Sequence, residues 1–62
     1  MITVNGQPTE FQGSVADLVA EQGVSRGVAV AVNGEVVARG AWGTRRIADG
    51  DHLEIVTAVQ GG

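Results

Sequence analysis

The stretch "GSVADLVAEQG", residues 13–23, breaks the pattern of the chain around it. On either side apolar residues alternate. Here Val15, Leu18 and Val19 fall at i, i+3 and i+4, on one face of a helix, while Ala16, Asp17, Ala20 and Glu21 point elsewhere. The ends are marked too. Ser14 is placed to cap the first turn, Asp17 three residues on is a shortened capping-box partner, and Gly23 suits the left-handed position that closes a helix. A helix of about nine residues does not stand alone in water, so its apolar stripe has to be covered by another element.

The flanking segments supply a sheet. Upstream, "ITVNGQPTEF" (2–11) places Asn5-Gly6 between two short apolar-bearing runs, the signature of a two-residue hairpin turn. Pro8 lacks an N–H and belongs at the entry or outer edge of the second strand. Downstream, "VAVAVNGEVVA" (28–38) alternates Val28, Val30 and Val32 against Ala29 and Ala31, then turns at Asn33-Gly34 into a return run. "GAWGTRRIADGD" (40–51) reads as irregular, with Ile47 as its anchor and Asp49-Gly50 as a turn. "HLEIVTAV" (52–59) is the last strand, with Leu53 and Ile55 on one face and Glu54, Val56 and Ala58 on the other. The order is two strands, one helix, two strands and a final strand. It predicts an α+β domain in which a single helix packs across one face of a mixed sheet, the β-grasp pattern.

Composition bounds what such a domain can do. A chain of 62 residues makes one domain and buries only about 60% of its unfolded surface, which leaves little room for an enclosed catalytic cleft. There is no cysteine, so disulfides, a zinc ribbon and a catalytic thiol are excluded; the sole histidine, His52, leaves metal sites poorly supplied. Beside Asp51 at the start of a strand, His52 reads as an edge residue, because no nucleophile or second base accompanies it. Seven acidic residues against four arginines, a net charge of −3, argue against a phosphate-backbone footprint and hence against nucleic acid as a partner. The start "MITVNG" carries no basic-then-apolar leader and no apolar run approaches the length of a membrane span, so the expected location is the cytoplasm.

The chain closes on "EIVTAVQGG" (54–62), a β-branched run that stops in two glycines. With that ending, the order of elements, the small size, "AVNGEVVARGAW" (31–42) and "DGDHLEIVTAVQGG" (49–62), the sequence resembles the ubiquitin-like sulfur carriers of bacteria, and among them the ThiS-type carriers of thiamine biosynthesis. The resemblance covers essentially the whole chain. It implies a ubiquitin-like β-grasp domain over residues 1–58 and a flexible Gly-Gly tail over 59–62. It also implies that the protein is not itself an enzyme and binds no cofactor. A ubiquitin-activating-like adenylyltransferase would join the Gly62 carboxylate to AMP from ATP. Sulfur delivered through a persulfide would then displace AMP to leave a C-terminal thiocarboxylate, which a thiazole synthase receives. Gly61 and Gly62 are the residues carried over.

The residues agree with that chemistry on their own terms. A carboxylate is a poor electrophile and must reach a partner's reaction centre to be activated. Two residues without Cβ make the thinnest thread, and from Val59 to Gly62 an extended chain reaches about 13 Å. With neither Lys nor Cys in the chain, only the Met1 amino group is available to attack an activated terminus from within. A carrier also needs a docking face. If Val28, Val30, Val32, Leu53 and Ile55 face the helix, then Ala29, Ala31, Glu54, Val56 and Ala58 form a flat, mostly small-residue patch beside the root of the tail, extended by Val59 and Gln60. Trp42 reads as a loop anchor and Arg45-Arg46 as a solvated pair. Arg39 is open to pairing with an acidic group on the activating enzyme. Three alternatives remain at this point: the small subunit of molybdopterin synthase, another ubiquitin-like sulfur carrier, and a non-carrier ubiquitin-like binding module whose tail is never activated.

Overall fold

Both Asn-Gly pairs fold as their residues dictate. In the computed structural model, which describes residues 1–23 and 27–57, Asn5 and Gly6 have φ of 51° and 82°, and Asn33 and Gly34 have φ of 53° and 84°. Positive φ at both central positions is what a tight hairpin turn with native strand twist requires. The first turn joins β1 (Ile2–Val4) to β2 (Gln7–Thr9), and the second joins β4 (Val28–Val32) to β5 (Glu35–Val37). Pro8 pairs with Thr3 on β2, an outer strand of the sheet, where its missing N–H costs no ladder bond.

The last strand, β7 (His52–Thr57), runs between the two hairpins. It is parallel to β1, with Thr3 opposite His52 and Val4 opposite Leu53, and antiparallel to β4, from Val28 opposite Thr57 to Val32 opposite Leu53. The five-stranded order is therefore β2-β1-β7-β4-β5, mixed in direction, with the last strand in the middle. This is the expected β-grasp arrangement. It corrects the position of His52: the residue is exposed but lies on the central strand, with β1 on one side and β4 on the other.

The helix α1 (Val15–Gln22) covers one face. Val15, Leu18 and Val19 are buried against Ile2, Val4, Val30, Val32 and Leu53, and Val28, Val37 and Ile55 border the same core. The capping box forms as read: the Asp17 N–H donates to Ser14 Oγ at 3.1 Å and the Ser14 N–H donates to Asp17 Oδ2 at 3.1 Å. At the other end Gly23 takes φ 78° and its N–H donates to the Ala20 carbonyl. Two further first-turn N–H groups donate into the long loop, Val15 to the Arg45 carbonyl at 2.9 Å and Ala16 to the Trp42 carbonyl at 3.0 Å. The loop that read as irregular thus caps the helix, supplying acceptors to groups that a helix cannot satisfy internally.

That loop holds more order than its composition shows. It contains a 3₁₀ turn at Arg39–Ala41 and a short strand β6 (Arg46–Ile47), which pairs antiparallel with β3 (Gly13–Ser14) as a second, two-stranded sheet. Its anchor is Trp42 rather than Ile47. Trp42 is 8% exposed and joins the main core, with its indole N–H donating to the Val37 carbonyl at 3.0 Å, whereas Ile47 is half-buried at the margin. A larger ring with a satisfied donor buries more surface than a branched aliphatic on a two-residue strand.

Two substitutions test this packing. Leu18 is 0% exposed, and Leu18→Ala is expected to cost about 2–5 kcal/mol, most of the stability a chain of this size possesses, as read by chemical denaturation. Gly13 has φ 147°, and an added Cβ would meet Asp17 Oδ2 at 3.0 Å and the Phe11 ring at 3.2 Å. Gly13→Ala is therefore expected to lower stability by about 1–3 kcal/mol through backbone strain and a displaced capping carboxylate, visible as loss of helical circular dichroism at a lower temperature.

Candidate functional site

With α1 on one side of the sheet, the alternation of each strand decides what the other side presents. β7 turns His52, Glu54 and Val56 outward, β4 turns Ala29 and Ala31 outward, and β5 adds Val36 opposite Ala31. Cross-strand partners make the patch continuous: Ala29 faces Val56, and Ala31 lies between Glu54 and Val36. The methyls of Ala29 and Ala31 form a low floor between two exposed valines, Val36 at 75% and Val56 at 61%. Such a floor admits close approach by another surface, and grouped exposed apolar side chains mark contact sites more often than scattered ones do.

Of the docking residues expected from sequence, Ala29, Ala31, Glu54 and Val56 do share this face. Ala58, Val59, Gln60, Gly61 and Gly62 lie outside the described residues. Val36 was missed. Its signal was present, because counting outward from the Asn33-Gly34 turn pairs Ala31 with Val36 and Val30 with Val37, which puts Val36 on the open side. Toward β1 the face becomes polar, where Thr3 Oγ1 and His52 Nδ1 share a hydrogen bond of 2.8 Å across the parallel pair.

The entry to β7 is fixed by a small polar cluster. Asp51 Oδ2 accepts from the Ala48 N–H at 2.8 Å and its Oδ1 accepts from Asn33 Nδ2 at 3.0 Å. Asn33 Oδ1 accepts in turn from the His52 N–H at 2.9 Å. The Ala48 amide above all, opposed by desolvation and aided to a lesser degree by the Asn33 carboxamide and the Arg45 charge, holds the Asp51 carboxyl below the ordinary carboxylate range. Asp17 is lowered likewise, by the Ser14 amide and hydroxyl and by Arg46. Neither is placed for acid–base chemistry, because both carboxylates serve backbone and turn groups. Arg39 lies with its guanidinium carbon 4.8 Å from the Trp42 ring centroid, which stations an exposed cation beside the loop. Among the described residues, no group of three His, Asp or Glu is arranged to hold a metal ion, and no helix is long and apolar enough to cross a membrane.

The model of the ThiS family matches residues 2–62, from the first strand through both terminal glycines. This chain belongs to the ThiS family. Its relatives agree in sequence and in shape. The sulfur carrier protein ThiS of Thermus thermophilus is 36% identical over 64 aligned positions, spanning 100% of both chains. The crystal structure of the thiamine biosynthesis protein ThiS from Geobacter metallireducens superposes with a TM-score of 0.82 at 33% identity, covering 98% of this chain and 97% of that one. The solution structure of the Geobacter protein gives the same TM-score and identity, covering 86% of that chain. In this chain the fold carries an open sheet face and a last strand, β7, that ends two residues after Ile55.

The lowered carboxylates set an acid limit. A carboxyl whose folded pKa lies below its unfolded value contributes stability that is complete above the unfolded value and disappears as pH falls through the folded one. The melting temperature is therefore expected to hold steady down to about pH 5 and to decline below about pH 4, where unfolded aspartates protonate first. Asp51→Asn is expected to have a lower melting temperature at pH 7 and a shallower decline in acid, measured by circular dichroism between those conditions.

Proposed function

We propose that this ThiS-family chain is a sulfur carrier of thiamine biosynthesis, and that the carboxylate of Gly62 is its working group. The observation that carries the reading is family membership that runs through the Gly-Gly end on a β-grasp scaffold. The protein acts as a co-substrate, and catalysis belongs to its partners. A ubiquitin-activating-like adenylyltransferase binds ATP, and a Gly62 carboxylate oxygen attacks the α-phosphorus to form the acyl adenylate with loss of pyrophosphate. The terminal sulfur of a persulfide then displaces AMP, and a thiolate attacks the donor-side sulfur of the resulting acyl disulfide, forming a new disulfide with it and releasing the thiocarboxylate. Thiazole synthase takes the sulfur from that soft, anionic nucleophile. We assign the chain to the cytoplasm and give it no resident cofactor.

Docking is assigned to the face built by Ala29, Ala31, Val36, Glu54 and Val56, together with Ala58, Val59 and Gln60, which follow it in sequence. The open side of β7 and the reactive terminus belong to one strand and its continuation, so a partner that seats the face also receives the end of the chain. The absence of lysine and cysteine from the sequence suits an activated acyl group, since no internal side-chain amine or thiol can consume it.

Intact mass of the untagged protein purified from its native cells tests the chemistry. A C-terminal fragment heavier by about 16 Da, absent in Gly62→Ala, is expected; localisation to that fragment separates it from oxidation at Met1, which adds nearly the same mass. An unmodified terminus after incubation with the activating enzyme, ATP and a sulfur donor would favour a binding module instead. For the face, Val36→Asp with Val56→Asp is expected to change stability by less than about 1 kcal/mol, because both side chains are largely solvated, and to weaken binding to the activating enzyme at least about tenfold by calorimetry.

A further inference from the structure

The far end of β7 is held on one side by a group that is not a strand. β4 accompanies β7 from Leu53 to Thr57, but the pairing of β1 stops at Leu53, opposite Val4. The Asn5 N–H makes the last backbone bond of that ladder, donating to the Leu53 carbonyl at 2.8 Å. The chain then turns away at Asn5-Gly6, leaving the peptide groups of Ile55 facing the space that a longer β1 would fill. The Asn5 side chain fills it. Its Oδ1 accepts from the Ile55 N–H at 2.8 Å and its Nδ2 donates to the Ile55 carbonyl at 3.1 Å. A carboxamide carries the same donor and acceptor as a peptide group, so this pair of bonds extends the ladder by one step.

Asn33 is a matched counterpart. It is the same residue type in the same kind of turn, with φ 53° against 51°, and it too bonds β7 through its side chain. The difference is location. Asn33 holds the strand where it begins, at His52, whereas Asn5 holds it at Ile55, seven residues before Gly62.

We infer that Asn5 is a positioning residue for the reactive terminus: its carboxamide fixes the direction in which β7 leaves the domain, and hence how residues 58–62 are presented to the activating enzyme. The inference rests on the carrier reading. The turn needs only positive φ, which glycine supplies as readily, so turn geometry alone does not account for a two-point bond to Ile55. A root that frays at Ile55 adds loosely held residues between the handle and the carboxylate and enlarges the orientational search before in-line attack, a cost that appears in the activation step.

The paired variants Asn5→Gly and Asn33→Gly separate this role from simple turn stability, since each keeps its turn and removes one carboxamide. Amide hydrogen exchange at Ile55 in the free protein is expected to accelerate about tenfold in Asn5→Gly and to stay near wild type in Asn33→Gly. With ATP and the activating enzyme, Asn5→Gly is expected to lose about tenfold in kcat/KM for adenylation, mostly in kcat, while Asn33→Gly stays within about twofold at equal folded fraction. Asn5→Asp, which keeps the acceptor for the Ile55 N–H but sets a carboxylate oxygen against its carbonyl, is expected to fall between wild type and Asn5→Gly. Equal losses in the two glycine variants, unchanged exchange at Ile55, or normal adenylation of Asn5→Gly each overturn the positioning role and leave the carrier reading standing. Failure of the wild-type chain to be adenylated overturns the carrier reading, and the positioning role with it.

Discussion

The parallel pairing of β1 with β7 is the constraint on which the rest depends. It joins the first strand of the chain to the last, with Val4 opposite Leu53, and so has to be formed across almost the full sequence. Closing a loop of that length carries an entropic cost that local contacts do not repay. Burial beneath the helix does. Ile2, Val4 and Leu53 from the pair meet Val15, Leu18 and Val19 of α1 in one core, and each large side chain buried there contributes about 1.5–3 kcal/mol. The two hairpins then need only to add β2 beyond β1 on one side and two strands, β4 and β5, beyond β7 on the other.

Putting the last strand in the middle of the sheet has a functional result. A C-terminal strand at an edge would leave the terminus attached to the most weakly held part of the fold. Here β7 has β4 along one side and β1, then Asn5, along the other. The segment that follows starts from a strand held from both sides, and that strand also contributes Glu54 and Val56 to the open face. Among the described residues α1 covers the opposite face, so the face that bears Glu54 and Val56 is the one left open.

Much of this was legible in local chemistry. The capping box at Ser14 and Asp17, the closure at Gly23, the two Asn-Gly turns and the outer placement of Pro8 all rest on bonds within a few residues. Valine and alanine alternation from 28 to 32 sorted the two faces of the sheet, because pleating turns every second side chain the same way. Ile47, His52 and Val36 were harder. The loop from 39 to 47 gains its order from the helix N-terminus that it caps and from Gly13-Ser14, with which β6 pairs, and none of those partners is near it in sequence. His52 reads as peripheral from its neighbours alone, and becomes central only when β1 arrives beside it.

The sequence by itself determined the two hairpins, the helix and the last strand, their order, the apolar face of each and the Gly-Gly ending, because turns, caps and periodicity are written in contacts between near neighbours. Only the tertiary structure decided which strand stands in the middle, that Trp42 closes the core, that Val36 completes the open face and that the Asn5 carboxamide holds β7 at Ile55. Those outcomes depend on which distant backbone groups are left without a partner after the chain has folded, and a linear pattern does not specify that.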